Sequence, residues 1–208
     1  MIDPAVATGL ILAGGRARRM QSPLVAGAGT AEEKGLLMLN GEPLVAHAHR
    51  FLAPRVSTVL VSANRHQERY AAYGKVISDD QSWGDDAGPL VGVATALRHI
   101  DTPWIVVLPV DVIRLPPDLI GRLAQALDQS AALIAYATTA TRGHPLCMVV
   151  HASLMSSLGD FLSGGDRKVG LWQSRHQAVP VLFPDDAHAF FNINTPDDLA
   201  YANQLCKS

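Results

Sequence analysis

Thr8–Met20 reads TGLILAGGRARRM, and EEKG follows at Glu32–Gly35. A short apolar run, Leu10 to Leu12, delivers the chain to Ala13-Gly14-Gly15, and Arg16, Arg18 and Arg19 stand in the next four positions. This is the pattern of a buried strand emptying into a glycine turn loaded with positive charge. Glycine lets backbone N–H groups approach an anion closely, and arginine adds charged donors in a planar fork that suits phosphate oxygens. The predicted guest is a polyphosphate; the alternative is a strand-to-helix turn whose arginines are simply solvated. Two familiar glycine loops are absent. Gly14 and Gly15 are adjacent, which rules out G-x-G-x-x-G, and no Gly-Lys-Ser/Thr follows.

Outward from this stretch, strands and helices alternate. The segment from Gln21 to Glu33 is rich in Gly, Ala and Ser without periodicity. It reads either as a loop that closes over ligand or as a surface loop of variable length. Lys34 at its far end reaches the phosphates in the first case and is solvated in the second. Pro43 is placed in the first turn of a helix that carries Leu44, Ala48, Phe51 and Leu52 at helical spacing. Thr58–Val61 (TVLV) is a second buried strand, ending in Ser62-Ala63-Asn64-Arg65-His66. A short helix over 67–73 and a third strand over 75–77 lead to Asp79 and Asp80. A carboxylate there accepts from a base or a ribose, or forms an Asx turn. Gly88-Pro89-Leu90-Val91-Gly92 opens the next helix, with room for a flat ring or merely for packing.

Trp104–Leu108 (WIVVL) is continuously apolar and is expected to be central in the sheet. Asp111 just beyond it either holds a magnesium ion between phosphates or caps a turn. A helix to about Asp128 and a strand over 131–137 follow. Then come shorter pieces: a strand over 146–151, helices over 152–162 and 167–175, and a strand over 178–182. Phe190–Asn194 (FFNIN) is a last strand with its asparagines on one side, and Thr195-Pro196-Asp197-Asp198 starts a final helix. The sum predicts a three-layer α/β fold: a mostly parallel, Rossmann-like sheet with helices on both faces and an antiparallel edge. One domain is expected over residues 1–208, with 1–115 mainly nucleotide-binding and 116–208 mainly acceptor-binding.

Composition narrows the function classes. The chain is 48% apolar and 17% charged with a formal net charge of −2, and its basic residues form no long stripe, which argues against a nucleic-acid surface. Cys147 and Cys206 have no C-x-x-C spacing, so neither a zinc nor a redox motif is offered. No apolar run reaches the ~18 residues of a membrane span, and no signal peptide is evident. A cytoplasmic protein is expected.

LAGGRARRM, EEKG, Asp79, the GPLVG turn, Asp111, Gly143-His144-Pro145 and FNINTPDDL occur in this order. In this the chain resembles the molybdenum cofactor guanylyltransferases, among nucleotidyltransferases with the nucleotide-diphospho-sugar transferase fold. The resemblance implies transfer of GMP from GTP to molybdopterin, with release of pyrophosphate and with Mg2+ as cofactor. It implies that Leu12, Ala13, Gly14, Gly15, Lys34, Ser62, Asp79, Gly88, Pro89, Leu90 and Asp111 bind GTP. Asp111, Arg19 and Lys34 would serve catalysis, with Asp111 on the metal, and His144, Asn192 and Asn194 would face molybdopterin. Partners would be these two substrates and molybdoenzymes or their chaperones, the protein itself being a monomer or weak homo-oligomer. Three departures stand out: Ser62 replaces a frequent asparagine, the loop before Lys34 is longer than the family pattern, and Asp111-Val112-Ile113 replaces D-x-P. A cytidylyltransferase and a non-catalytic cofactor-delivery protein are the competing readings.

Overall fold

The computed structural model describes residues 6–14, 33–84, 88–183 and 189–205. In chain order, β1 (Ala7–Leu12) is followed by a two-residue hairpin, β2 (Met38–Leu39) and β3 (Glu42–Pro43), and by α1 (Leu44–Leu52). Next come β4 (Thr58–Ser62), α2 (Gln67–Tyr70), β5 (Lys75–Ile77), α3 (Pro89–Leu97), β6 (Trp104–Pro109), β7 (Val112–Ile113) and α4 (Leu119–Asp128). The remainder holds β8 (Ile134–Thr138), β9 (Gly143–His151), α5 (Met155–Ser163), α6 (Val169–Arg175), β10 (Val179–Leu182), β11 (Phe191–Asn192) and α7 (Pro196–Leu205).

Seven strands form one sheet in the order β10-β8-β9-β6-β1-β4-β5, so the expected mostly parallel α/β sheet is present and WIVVL is its middle strand. The strand that runs against its neighbours is β9, paired antiparallel to both β6 and β8. It lies two places in from the β10 edge, because β10 pairs parallel to β8 and itself closes that side.

β1 alternates between two cores because successive side chains leave a strand on opposite faces. Ile11 joins Leu44, Leu52, Leu123 and Phe183 on one face, while Leu10 joins Leu90, Leu158 and Trp172 on the other. Burying one such aliphatic side chain contributes about 1.5–3 kcal/mol. α1 buries Leu44, Val45, Ala48 and Leu52, one stripe of an amphipathic helix, and begins one residue after Pro43, which is instead the last residue of β3. α3 buries every residue from Leu90 to Leu97 because it lies between the sheet and α5. Among the described residues no helix is long and apolar enough to cross a membrane.

Candidate active site

The chain runs from β1 to β4 and β5 on one side, then returns to lay β6 on the other side of β1. The carboxyl ends of β1 and β6 therefore border the crevice where open α/β sheets take ligands. In register, Leu12 stands opposite Ser62 of β4 and opposite Pro109 of β6. With neighbouring strands about 4.8 Å apart, the ends of β4 and β6 lie roughly 10 Å from one another across β1.

The β1 end is locked into this row. Ala13 and Gly14 both donate their N–H groups to the Ser62 carbonyl, at 3.0 and 2.9 Å, and Val110 donates to the Leu12 carbonyl at 3.1 Å. The Ala13 and Gly14 amides, predicted to turn toward an anion, are thus engaged by β4. Gly15, Arg16, Arg18 and Arg19, and the loop up to residue 32, lie outside the described residues, as does Cys206.

On the β6 side three predicted residues, far apart in sequence, converge. The Lys34 ammonium donates to Asp111 Oδ2 and, at 2.8 Å, to Asn194 Oδ1. The lysine and aspartate side chains are 15% and 20% exposed, so the pair is sheltered yet open to a ligand. Asp111 is placed by the short antiparallel pairing of β7 with β11, which continues as Ile193 N–H to Asp111 carbonyl at 2.9 Å. Asn194 is fixed where α7 begins. The Asp198 carboxylate accepts from the N–H groups of Asn194 and Thr195, and the Thr195 hydroxyl accepts from Asp198 N–H at 3.1 Å. Burial acts to raise the Asp198 pKa, but these hydrogen bonds prevail and hold it below the usual carboxylate range. This is a reciprocal helix cap.

On the β4 side the two adjacent aspartates divide the two roles open to them. Asp79 turns inward, accepting from Ser62 Oγ at 3.1 Å and from Asn64 Nδ2 at 2.9 Å, while its own N–H donates to Asn64 Oδ1. Each carboxylate oxygen thus accepts one bond and keeps capacity for another. Asp80 takes the turn role: it accepts from Ser82 N–H, which with the lesser help of Arg98 keeps its carboxyl below the usual range. Arg98 lies over the Trp83 ring, 4.2 Å from its centroid, and Asp80 N–H donates to Thr95 of α3. Gly88 and Pro89 lead into α3, but Leu90, predicted to contact the nucleotide, is wholly buried in the core beneath them.

His144 reaches this end of the sheet through an irregularity. Pro145 has no N–H for a ladder bond, and the pairing jumps from Tyr136 opposite Met148 to Ala137 opposite His144. The ring stacks on Phe190 with centroids 4.4 Å apart, and its Nε2 is buried with no hydrogen-bond partner among the described residues. Asn192 Oδ1 is likewise buried and without a partner among the described residues. Two orphaned polar atoms on these neighbouring elements suit a polar acceptor. Burial, aided by the charge of Arg142, lowers the His144 pKa from 6.5 to about 4. Between those values the folded chain binds fewer protons than the unfolded one, so this contribution to stability is complete above pH 6.5 and is lost as pH falls toward 4. Thermal midpoints measured across this range should decline more steeply for the parent protein than for His144→Phe; parallel curves would contradict the assignment.

Sequence reasoning gave Glu33 and Tyr70 no role, and placed Asn64 and Arg65 at the ligand end of a strand without assigning either a partner. Glu33 is buried, accepting from Arg65 Nε at 2.7 Å and from Tyr70 Oη at 3.1 Å. The available signal was the polar run after TVLV, which carries Asn64 and Arg65 at the ligand end of β4.

Magnesium prefers oxygen ligands and is held through one or two carboxylates together with substrate phosphates. Asp111 and the Asn194 amide oxygen, gathered around one ammonium, fit that chemistry. Among the described residues no three His, Cys, Asp or Glu side chains are grouped to hold an ion unaided.

Residues 9–179 match the family model of the MobA-like NTP transferase domain. A molybdenum cofactor guanylyltransferase of Shewanella sp. (strain W3-18-1) is 40% identical over 189 residues, covering 90% of this chain and 91% of that protein. Among solved structures, molybdopterin-guanine dinucleotide biosynthesis protein A from Archaeoglobus fulgidus superposes with a TM-score of 0.73 at 22% identity, covering 96% of this chain and 98% of that one. A CMP:2-keto-3-deoxy-manno-octonic acid synthetase complexed with CTP gives 0.71 at 13% identity, covering 97% and 98%. Both structures share the nucleotidyltransferase fold with this chain.

Proposed function

Because this chain belongs to the MobA-like NTP transferase family, we propose that it transfers GMP from GTP to molybdopterin, forming the guanine dinucleotide and releasing pyrophosphate. The observation that carries this reading is the meeting of Lys34, Asp111 and Asn194 at the end of β6, across β1 from the Asp79 that Ser62 and Asn64 hold. One end of the crevice offers charge for a triphosphate, and the other offers a carboxylate for a base.

The terminal phosphate of molybdopterin attacks the α-phosphorus of GTP in line; a new P–O bond forms as the α–β bridge breaks, and pyrophosphate departs with the bonding electrons. The attacking group is already an anion, so the chain need not supply a nucleophile. Its task is positioning and charge neutralisation. Lys34 steadies the negative charge that builds on the leaving pyrophosphate, and Arg19 is assigned to the same phosphates. Asp111 and Asn194 would hold magnesium, which when bound supplies further charge neutralisation. Asn192, Asn194 and His144 face the acceptor.

Guanine presents two adjacent donors, N1–H and the 2-amino group, to a carboxylate whose two oxygens each retain a free acceptor position; cytosine has no such pair. This favours GTP over CTP. The test follows pyrophosphate release with molybdopterin and magnesium, comparing GTP with CTP and magnesium with chelator. Turnover with GTP and magnesium alone is expected. Preference for CTP would make the chain a cytidylyltransferase, and tight nucleotide binding without turnover would favour a delivery protein. The same reading places the protein in the cytoplasm, handing its product to molybdoenzymes or their chaperones.

A further inference from the structure

Lys34 opens a three-residue 3-10 turn, Lys34–Leu36, whose preceding residue, Glu33, makes no side-chain cap. Glu33 instead buries its carboxylate, 1% exposed, and each oxygen is engaged by a different residue of the segment after β4. A carboxylate buried to that degree is costly unless its partners are well placed. Arg65 supplies the counter-charge, 42% exposed, and Tyr70 supplies a hydroxyl from a side chain that is entirely buried. Burial first, and the Glu33 charge second, push the Tyr70 phenol above its ordinary range, so it remains a donor. His66, at φ 49°, makes the bend between Arg65 and α2. The tyrosine also braces the residue after Lys34: a Cβ on Gly35 would lie 2.7 Å from Tyr70 Oη and 3.0 Å from its Cε1.

We propose that Glu33 is a positioning residue which, clamped by Arg65 and Tyr70, holds the Lys34 ammonium at Asp111 and Asn194. The inference rests on the reading that Lys34 serves phosphoryl chemistry. It adds that the β4–α2 segment governs both ends of the crevice: its start orients Asp79 through Ser62 and Asn64, and its continuation orients Lys34 through Glu33. None of Glu33, Arg65 and Tyr70 need touch substrate to do this.

Glu33→Gln keeps the shape and removes the charge that Arg65 answers. Its kcat should fall about 10- to 100-fold, the scale of a catalytic group displaced by about 1 Å, with KM for molybdopterin unchanged. Tyr70→Phe, which keeps the buried ring and is therefore expected to fold, should move kcat in the same direction by a smaller factor. The decisive comparison is a cycle with Lys34→Ala: once the amine is gone, Glu33→Gln should have no further effect on rate. A readout independent of turnover is acylation of the Lys34 amine by acetic anhydride, followed by peptide mass spectrometry. Labelling should accelerate several-fold in Glu33→Gln as the sheltered amine is released. Equal rate losses with and without Lys34, or unchanged labelling in both folded variants, would overturn the proposal. If the parent chain transfers no guanylyl group, the function fails, and the labelling result still decides the positioning.

Discussion

Asp111→Asn is expected to lower kcat/KM for GTP by about 100- to 1,000-fold, the scale on which a single electrostatic stabiliser contributes to catalysis. The substitution preserves the size of the side chain and its place beside β7, which is set by main-chain pairing with β11 rather than by the carboxylate. What it removes is the negative charge facing Lys34, so that the ammonium meets a neutral amide oxygen where it had a carboxylate. Loss of rate is therefore expected without loss of fold. Steady-state pyrophosphate release, beside a denaturation curve of the same preparation, separates the two. Turnover close to that of the parent protein would remove Asp111 from the site.

Gly74→Ala should act through stability. Gly74 adopts φ 150° and ψ 178°, and a Cβ there would lie 2.5 Å from the Val59 carbonyl oxygen and 3.0 Å from its carbon. That carbonyl belongs to β4, whose Val59 is paired with Gly9 of β1, so the obstacle is backbone inside the sheet and has little room to retreat. A loss of more than ~2 kcal/mol is expected from strain and displacement together. For a chain of this size that lowers the thermal midpoint by roughly 4–8 °C. Because β5 leads directly to Asp79, nucleotide affinity should fall as well. An unchanged denaturation midpoint would show that the close approach is not real.

The parts of this fold legible in the sequence are those whose cause is local. Continuous apolar runs announced β1 and β6, and the order of strands and helices announced a parallel sheet. The Thr195-Pro196-Asp197-Asp198 signal marked the start of α7, which opens at Pro196 with Asp198 bonded back to Thr195. Less was visible where tertiary pairing decides. β7 and β11 are two residues each and exist because they meet: β7 had no signal of its own, and β11 covers only Phe191–Asn192 of the strand expected over 190–194. His144 would share the face of Met148 under strict alternation, but Pro145 interrupts the ladder and the ring instead stacks on Phe190. The candidate site was legible as a set of residue types: Lys34, Asp111 and Asn194 stand together. Its supports were not, since Glu33 reads as one more polar residue until Arg65 and Tyr70 are seen to close on it.

Lys34 precedes both of its oxygen partners in the chain, the nearer by 77 residues and the farther by 160. A polypeptide growing on the ribosome therefore carries this lysine unpaired through most of its synthesis, even after the strands around it have appeared. On the function proposed above, the site is complete only after Asn194 has emerged, so activity would be a late event in the life of each newly made molecule.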